Sequence, residues 1–306
     1  MFQGIVGHSL ALRLLARALN TGRIAHAYLF VGPSGVGKTK IARAAATAIV
    51  GGAERAEASL HPDIREVYPQ GSSLRLSQIK ELTRDVLLAP VLAKRKVYIL
   101  HNVEKFTAEA ANSFLTTLEE PPAGTVFFLL ADRPGVTSTI VSRCQVLRFG
   151  FLTVAETVLV LKRTSSQTAE LEAAARLSFG SPGEALRLLE PGVLEQQREM
   201  VALTQCFMEM TGAEKLNRMA SLEEKKDDIH AYITFFALWM RDMLCLKLAL
   251  NECLALPYRE EIEAQARRLD LNVITSRLMH LQELLTRWSP GTNKRLVLDQ
   301  LFMALK

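Results

Sequence analysis

The 306-residue chain lacks any run of about 18 uncharged apolar residues, the length a helix needs to cross a bilayer, so no membrane span is expected. Its first eight residues, Met1 to His8, lack a basic stretch followed by an apolar one, so no secretory signal is expected. Cysteine is scarce: four residues, at 144, 206, 245 and 253. None forms a CxxC pair, and no histidine stands beside them at ligand spacing. The expectation is reduced thiols in a cytoplasmic protein rather than a disulfide framework or a metal cluster. Internal repeats and low-complexity tracts are also missing.

What is present describes an ordinary globular protein. Hydrophobic residues make up 49% and charged residues 23%, which excludes disorder. The length suits two or three domains. A net charge of +5 permits contact with a nucleic-acid backbone without requiring it.

The patterning changes character along the chain. Residues 9–20 carry apolar side chains at 10, 14, 15, 18 and 19, which predicts a helix ending near Gly22. Short apolar runs at 27–31, 64–68, 97–100, 126–131 and 145–149 predict strands buried on both faces. Helical segments at 38–50, 77–88, 108–119 and 136–142 alternate with them. That alternation predicts an α/β domain, a parallel sheet with flanking helices, over residues 1–150. Beyond it the strand signal stops. Helices at 153–163, 168–178 and 182–189, broken at Ser165-Ser166 and at Gly180–Gly183, predict a small helical lid over 151–192. Residues 193–306 read as an all-α domain. Its stripes Ile274, Leu278, Leu281, Leu285, Trp288 and Leu298, Leu301, Phe302, Leu305 serve as internal core, as a subunit interface, or as both.

Gly32-Pro33-Ser34-Gly35-Val36-Gly37-Lys38-Thr39 matches the phosphate-loop pattern GxxxxGK[ST] in full, with a strand before it and a helix after. Glycines let the backbone turn its N–H groups inward, and the following helix presents its positive end. Lys38 would reach the terminal phosphates of ATP or ADP, and Thr39 would ligate Mg²⁺ when nucleotide is bound.

Phosphate-loop ATPases hold that Mg²⁺ with an aspartate ending a second strand. Here the matching strand, 96–100, ends in His101-Asn102. Imidazole is a poor Mg²⁺ ligand, because that ion prefers oxygen. Asn102 has no carboxylate to take a proton from water. Glu104 lies two residues further on, where it would need an altered loop. Nucleotide binding with weak or absent hydrolysis is therefore expected.

Several short segments together carry a resemblance. His26–Phe30, His61-Pro62-Asp63, Asn112–Pro122, Ser142-Arg143-Cys144 and Arg295–Leu298 resemble the clamp-loader family of AAA+ proteins along the whole chain. The resemblance implies a subunit of a DNA polymerase III assembly that helps place a sliding clamp on primer–template DNA. Subunits of the gamma/tau and delta types would be its partners. It also implies that Arg143 acts as an arginine finger in a neighbour's ATP site, a role worth roughly 10³–10⁵ in rate in other phosphate-loop systems. Ile5 and Val6 match an adenine pocket, with ordinary core as the equal alternative. Many relatives carry a four-cysteine zinc module where this chain has 51–60 without cysteine, so no zinc is expected. The sensor position falls near Asp132 or Arg133, and Gly183 replaces a lid arginine. Lys80 and Arg84, four apart on one helix, could face DNA, although a solvated charged face explains them as well.

Two rival readings remain distinct in what they expect. A self-sufficient AAA+ ATPase of the motor or helicase-loader kind requires turnover by the chain alone. A small-molecule kinase leaves the helical half and Ser142-Arg143-Cys144 without a purpose.

Overall fold

The structure, a computed structural model, describes residues 2, 4–51, 61–133, 135–164, 170–190, 192–193, 199–205, 214, 229–250, 254, 256, 258–287 and 293–304. The zinc-module stretch 52–60, Ser165-Ser166, Pro191, Cys206, Cys253, Trp288, Leu305 and the side chain of Phe302 lie outside the described residues.

The chain divides into two compact units, Met1–Leu171 with Ser178–Leu186, and Glu172–Leu177 with Arg187–Lys306. The first is built on five parallel strands: β1 (Ala27–Val31), β2 (Ile64–Val67), β3 (Lys96–His101), β4 (Thr125–Ala131) and β5 (Gln145–Arg148), in the spatial order β2-β3-β4-β1-β5. The three central strands are buried almost throughout because helices cover both faces. On one face α1 (Ser9–Asn20) and α2 (Lys38–Val50) pack Leu15, Ile41 and Ala45 against Phe30 and Phe128. On the other, α3 (Leu76–Val86) and α4 (Ala108–Glu119) pack Ile79, Leu82 and Phe114 against Leu100, Phe127 and Leu129. The Thr107 hydroxyl starts α4 by accepting from the Ala110 N–H at 3.2 Å, satisfying one of the donors a helix leaves free.

Parallel strands joined by crossovers carry all their carboxyl ends to one edge. The residues after β1, β3 and β4 therefore meet there: the glycine-rich loop, His101-Asn102 and Asp132. Register fixes this closely, with Val31 opposite Ala131 and His101 opposite Leu130.

The predicted elements differ in detail. In α1 the buried residues are Ala11 and Leu15, while Leu10 and Leu14 are 64% and 39% exposed, so the apolar stripe is wider than the face that packs. The helix expected over 136–142 is a single turn, α5 (Ser138–Val141). α3 stops at Val86, and Leu87 and Leu88 emerge into solvent. The helices after the sheet are α6 (Val154–Thr164), α7 (Leu171–Leu177) and α8 (Pro182–Leu188).

The second unit is helical. The helix Ile229–Lys247 buries Ile233, Phe236, Trp239 and Met243 and packs on the helices Arg259–Arg268 and Leu271–Arg287. Ile262, Ile274, Leu281, Leu298 and Leu301 are buried in this unit, so four members of the two predicted stripes are core. The Trp239 indole N–H donates to Gln265 Oε1 at 2.9 Å, which satisfies a buried ring whose polar edge would otherwise be stranded.

Candidate nucleotide-binding site

The loop Gly32–Thr39 leaves β1 and enters α2 through Gly37, whose φ of +103° only glycine adopts without strain. Space around it is open, since a Cβ there would meet nothing within 4 Å. A cleft of about 740 Å³ opens beside the loop. Gly35, Lys38 and Thr39 line it together with His101, Asn102 and Asp132. Gly32 and Pro33 offer their carbonyls to the Lys38 amine, and Val36 sits in the core.

Lys38 is buried and fully engaged. Its Nζ donates to the carbonyls of Gly32 and Pro33 at 2.7 and 2.5 Å and lies 2.8 Å from Asp132 Oδ1. Asp132 also accepts from Asn102 Nδ2 at 2.8 Å. Asn102 sits at φ 52°, ψ 50°, the left-handed region that asparagine tolerates better than glutamate. Glu104 approaches the same cluster, 3.4 Å from both Asn102 Nδ2 and the Asp132 N–H.

His101 is committed elsewhere. Its Nε2 lies 2.8 Å from Glu66 Oε2, and its ring stacks on Tyr68 with centroids 4.0 Å apart. Glu66 further accepts a bidentate pair from Arg43 at 2.6 and 2.9 Å and the Tyr68 hydroxyl at 2.5 Å. Burial alone would raise the Glu66 pKa, but the hydrogen bonds from His101, Arg43 and Tyr68 outweigh it and hold the carboxyl far below the usual range. Burial and the bond to Glu66 push the Tyr68 phenol up.

The segment Ser181–Gly183, part of the same unit as the sheet, touches the loop directly. Gly183 N–H donates to Gly35 O at 2.9 Å, and Ser181 Oγ donates to Ser34 O at 3.0 Å. A Cβ on Gly183 would stand 2.9 Å from Gly35 Cα, so glycine there is what lets the two backbones meet. From the other side His8 Nε2 bonds to Val36 O at 2.9 Å.

These features fit a polyphosphate better than they fit a metal. The amine of Lys38 and the start of a 13-residue helix provide positive charge and free N–H donors. For Mg²⁺, Thr39 is at hand, but the second-strand position carries an imidazole already bonded to a carboxylate. Among the described residues no cluster of histidine, cysteine, aspartate or glutamate could hold a metal.

Of the other residues singled out in the sequence, Ile5 and Val6 are half-buried and pack against the α1–α2 face of the core rather than lining the cleft. Arg143 follows α5 outside the cleft lining. Its guanidinium donates to Glu119 Oε1 at 2.5 Å and to Thr139 O at 2.9 Å. Cys144 packs against the α3–α4 side of the core, and burial pushes its thiol up to about 12. Lys80 and Arg84 are exposed. Sequence reasoning missed Glu66 and Arg43; the one available signal was an acidic residue inside the strand Ile64-Arg65-Glu66-Val67.

Residues 7–153 match the family described as DNA polymerase III, delta subunit. The chain is 36% identical over 151 residues to DNA polymerase III subunit delta' of Bacillus subtilis, covering 45% of this chain and 46% of that one. It is 34% identical over 195 residues to DNA polymerase III subunit delta' of Pseudomonas aeruginosa, covering 58% and 60%. The matches thus span about half the length of these curated relatives. A solved DNA polymerase III gamma subunit-related protein from Thermotoga maritima, 18% identical, shares the fold with a TM-score of 0.50 over 95% of this chain and 98% of its own.

Proposed function

We propose that this chain, a delta-prime-like clamp-loader protein of the DNA polymerase III type, binds ATP or ADP without cutting it and acts through companion subunits. Those companions would be gamma/tau and delta subunits, the sliding clamp and primer–template DNA, in the cytoplasm. One observation carries the reading. The position that should offer a carboxylate to Mg²⁺ is His101, and its Nε2 is spent on Glu66 at 2.8 Å. The next position, Asn102, donates its amide to Asp132 and has no basic atom to accept a proton from water. The phosphate loop is complete, while positions 101 and 102, where the hydrolytic pattern has its acidic residues, carry no carboxylate.

Arg143 supports the second half of the reading. It is one-third exposed and tethered by Glu119 and Thr139 rather than buried. A guanidinium presented in this way could neutralise charge developing on a phosphoryl group bound by a neighbour. The test is reconstitution: purified chain mixed with gamma-type motor subunits, clamp and primed DNA. The chain should raise the motor's ATPase rate, and Arg143→Ala should abolish that gain. Full stimulation by the mutant sinks the finger assignment.

A further inference from the structure

Asp132 stands where nucleotide binding must contend with it. The Lys38 amine, the group a phosphate loop offers to the terminal phosphates, is 2.8 Å from Asp132 Oδ1. Any phosphate oxygen that contacts this amine comes within a few ångströms of a carboxylate of the same sign. Asp132 is no free side chain that can swing away at no cost. The Asn102 amide holds it at 2.8 Å, and its own N–H faces Glu104. Asn102 is in turn fixed in a left-handed turn between β3 and the segment after it. The opposing charge is therefore held in place, close to the amine and partly shielded from solvent, where like-charge repulsion is felt most. Neither His101 nor Asn102 supplies a carboxylate to recruit the Mg²⁺ that would neutralise the outermost phosphate.

We infer that Asp132 sets the nucleotide preference of the cleft, counter-selecting the γ-phosphate so that the site takes a nucleoside diphosphate over a triphosphate. This rests on the proposed function, in that it assumes the loop binds nucleotide. It adds which nucleotide, and names the residue responsible. The diphosphate can lie along the loop N–H groups and the start of α2, leaving the Lys38 amine on the Gly32 and Pro33 carbonyls and on Asp132. The additional phosphate carries more charge and extends toward the carboxylate. Selection here works through a repulsive element built against the competitor rather than an added attraction to the ligand.

Titration of fluorescent ATP and ADP analogues onto the purified full chain tests this. Four proteins are compared: wild type, Asp132→Asn, Asp132→Glu and Asp132→Asn combined with Lys38→Ala. Asp132→Asn, equal in shape and neutral, should tighten ATP about tenfold or more, a factor worth about 1.4 kcal/mol. It should tighten ADP by clearly less. Asp132→Glu should keep the wild-type preference, and the gain should vanish when Lys38 is removed. Equal gains for ATP and ADP, no gain for ATP, or a gain that survives Lys38→Ala would each overturn the assignment. So would a lack of measurable binding in every protein. Phosphate release recorded in the same samples judges the proposed function separately: turnover by the wild type contradicts that reading and leaves the ATP-to-ADP ratio to decide this one.

Discussion

Glu66 Oε2 lies 2.8 Å from His101 Nε2, and this contact ties the end of β3 to β2 at the edge of the nucleotide cleft. The same carboxylate serves Arg43 and Tyr68, so one half-buried acid organises three side chains. The network explains why histidine is compatible with this fold at a position where phosphate-loop enzymes keep an acid: an aspartate at 101 would face Glu66 with like charge.

Glu66→Gln should destabilise the chain by about 1–2 kcal/mol at pH 7, the cost of weakening a half-buried charge-assisted network. The pH dependence follows from the lowered folded pKa. The contribution is complete above the ordinary carboxylate value of 4.5 and is lost as pH falls below it toward the folded value. Denaturant unfolding of both proteins should show a gap that is wide at neutral pH and narrows below about pH 4.5.

Asp63 is buried at the start of β2 and accepts three backbone N–H groups, from Val91, Leu92 and Ala93, at 2.6, 2.8 and 2.7 Å. Burial would raise its pKa, but those three bonds prevail and lower it. Asp63→Asn turns an amide toward donors and should cost about 2–3 kcal/mol. The loss should be seen as a lower denaturant midpoint at neutral pH. Because the folded pKa is depressed, the difference from wild type should shrink as pH falls below 3.8.

Gly183→Ala tests the contact between the segment starting α8 and the phosphate loop. Its Cβ would stand 2.9 Å from a backbone carbon that cannot rotate away, so the segment must retreat and the bond from Gly183 N–H to Gly35 O must lengthen. A loss of about 1–3 kcal/mol is expected from such overpacking. Weaker binding of fluorescent nucleotide should accompany it. Unchanged affinity would show that the Gly183 contact does not shape the loop.

Arg143→Ala should leave stability within about 1 kcal/mol of wild type, since an exposed ion pair contributes little. The stimulated part of the motor subunit's ATPase should nevertheless fall by on the order of 10³. Arg143→Lys should not rescue it, because an ammonium lacks the planar fork. Thermal unfolding beside the reconstituted ATPase assay separates the two effects.

Much of this was legible in the sequence because it is local. The strand Ala27–Val31, the loop Gly32–Thr39 and the helix after it are encoded within 24 consecutive residues, 27–50, and need no distant partner to be recognised. His101 and Asn102 were found in the same way, as departures from a known spacing. The unread part is non-local. Glu66 reaches His101 across 35 residues, and Lys38 reaches Asp132 only because β4 lies beside β1 in the sheet. No single-sequence pattern announces a pairing that sheet order creates. The exposure of Leu10 and Leu14 has the same origin. Helical periodicity marks an apolar stripe, but the width of the surface it meets decides how much of it is covered.

The most direct measurement is phosphate release by the isolated full chain with ATP and Mg²⁺, recorded while a fluorescent analogue reports binding. The account predicts saturable binding with no turnover above background, including with primed DNA present. Brisk hydrolysis by the chain alone would contradict it.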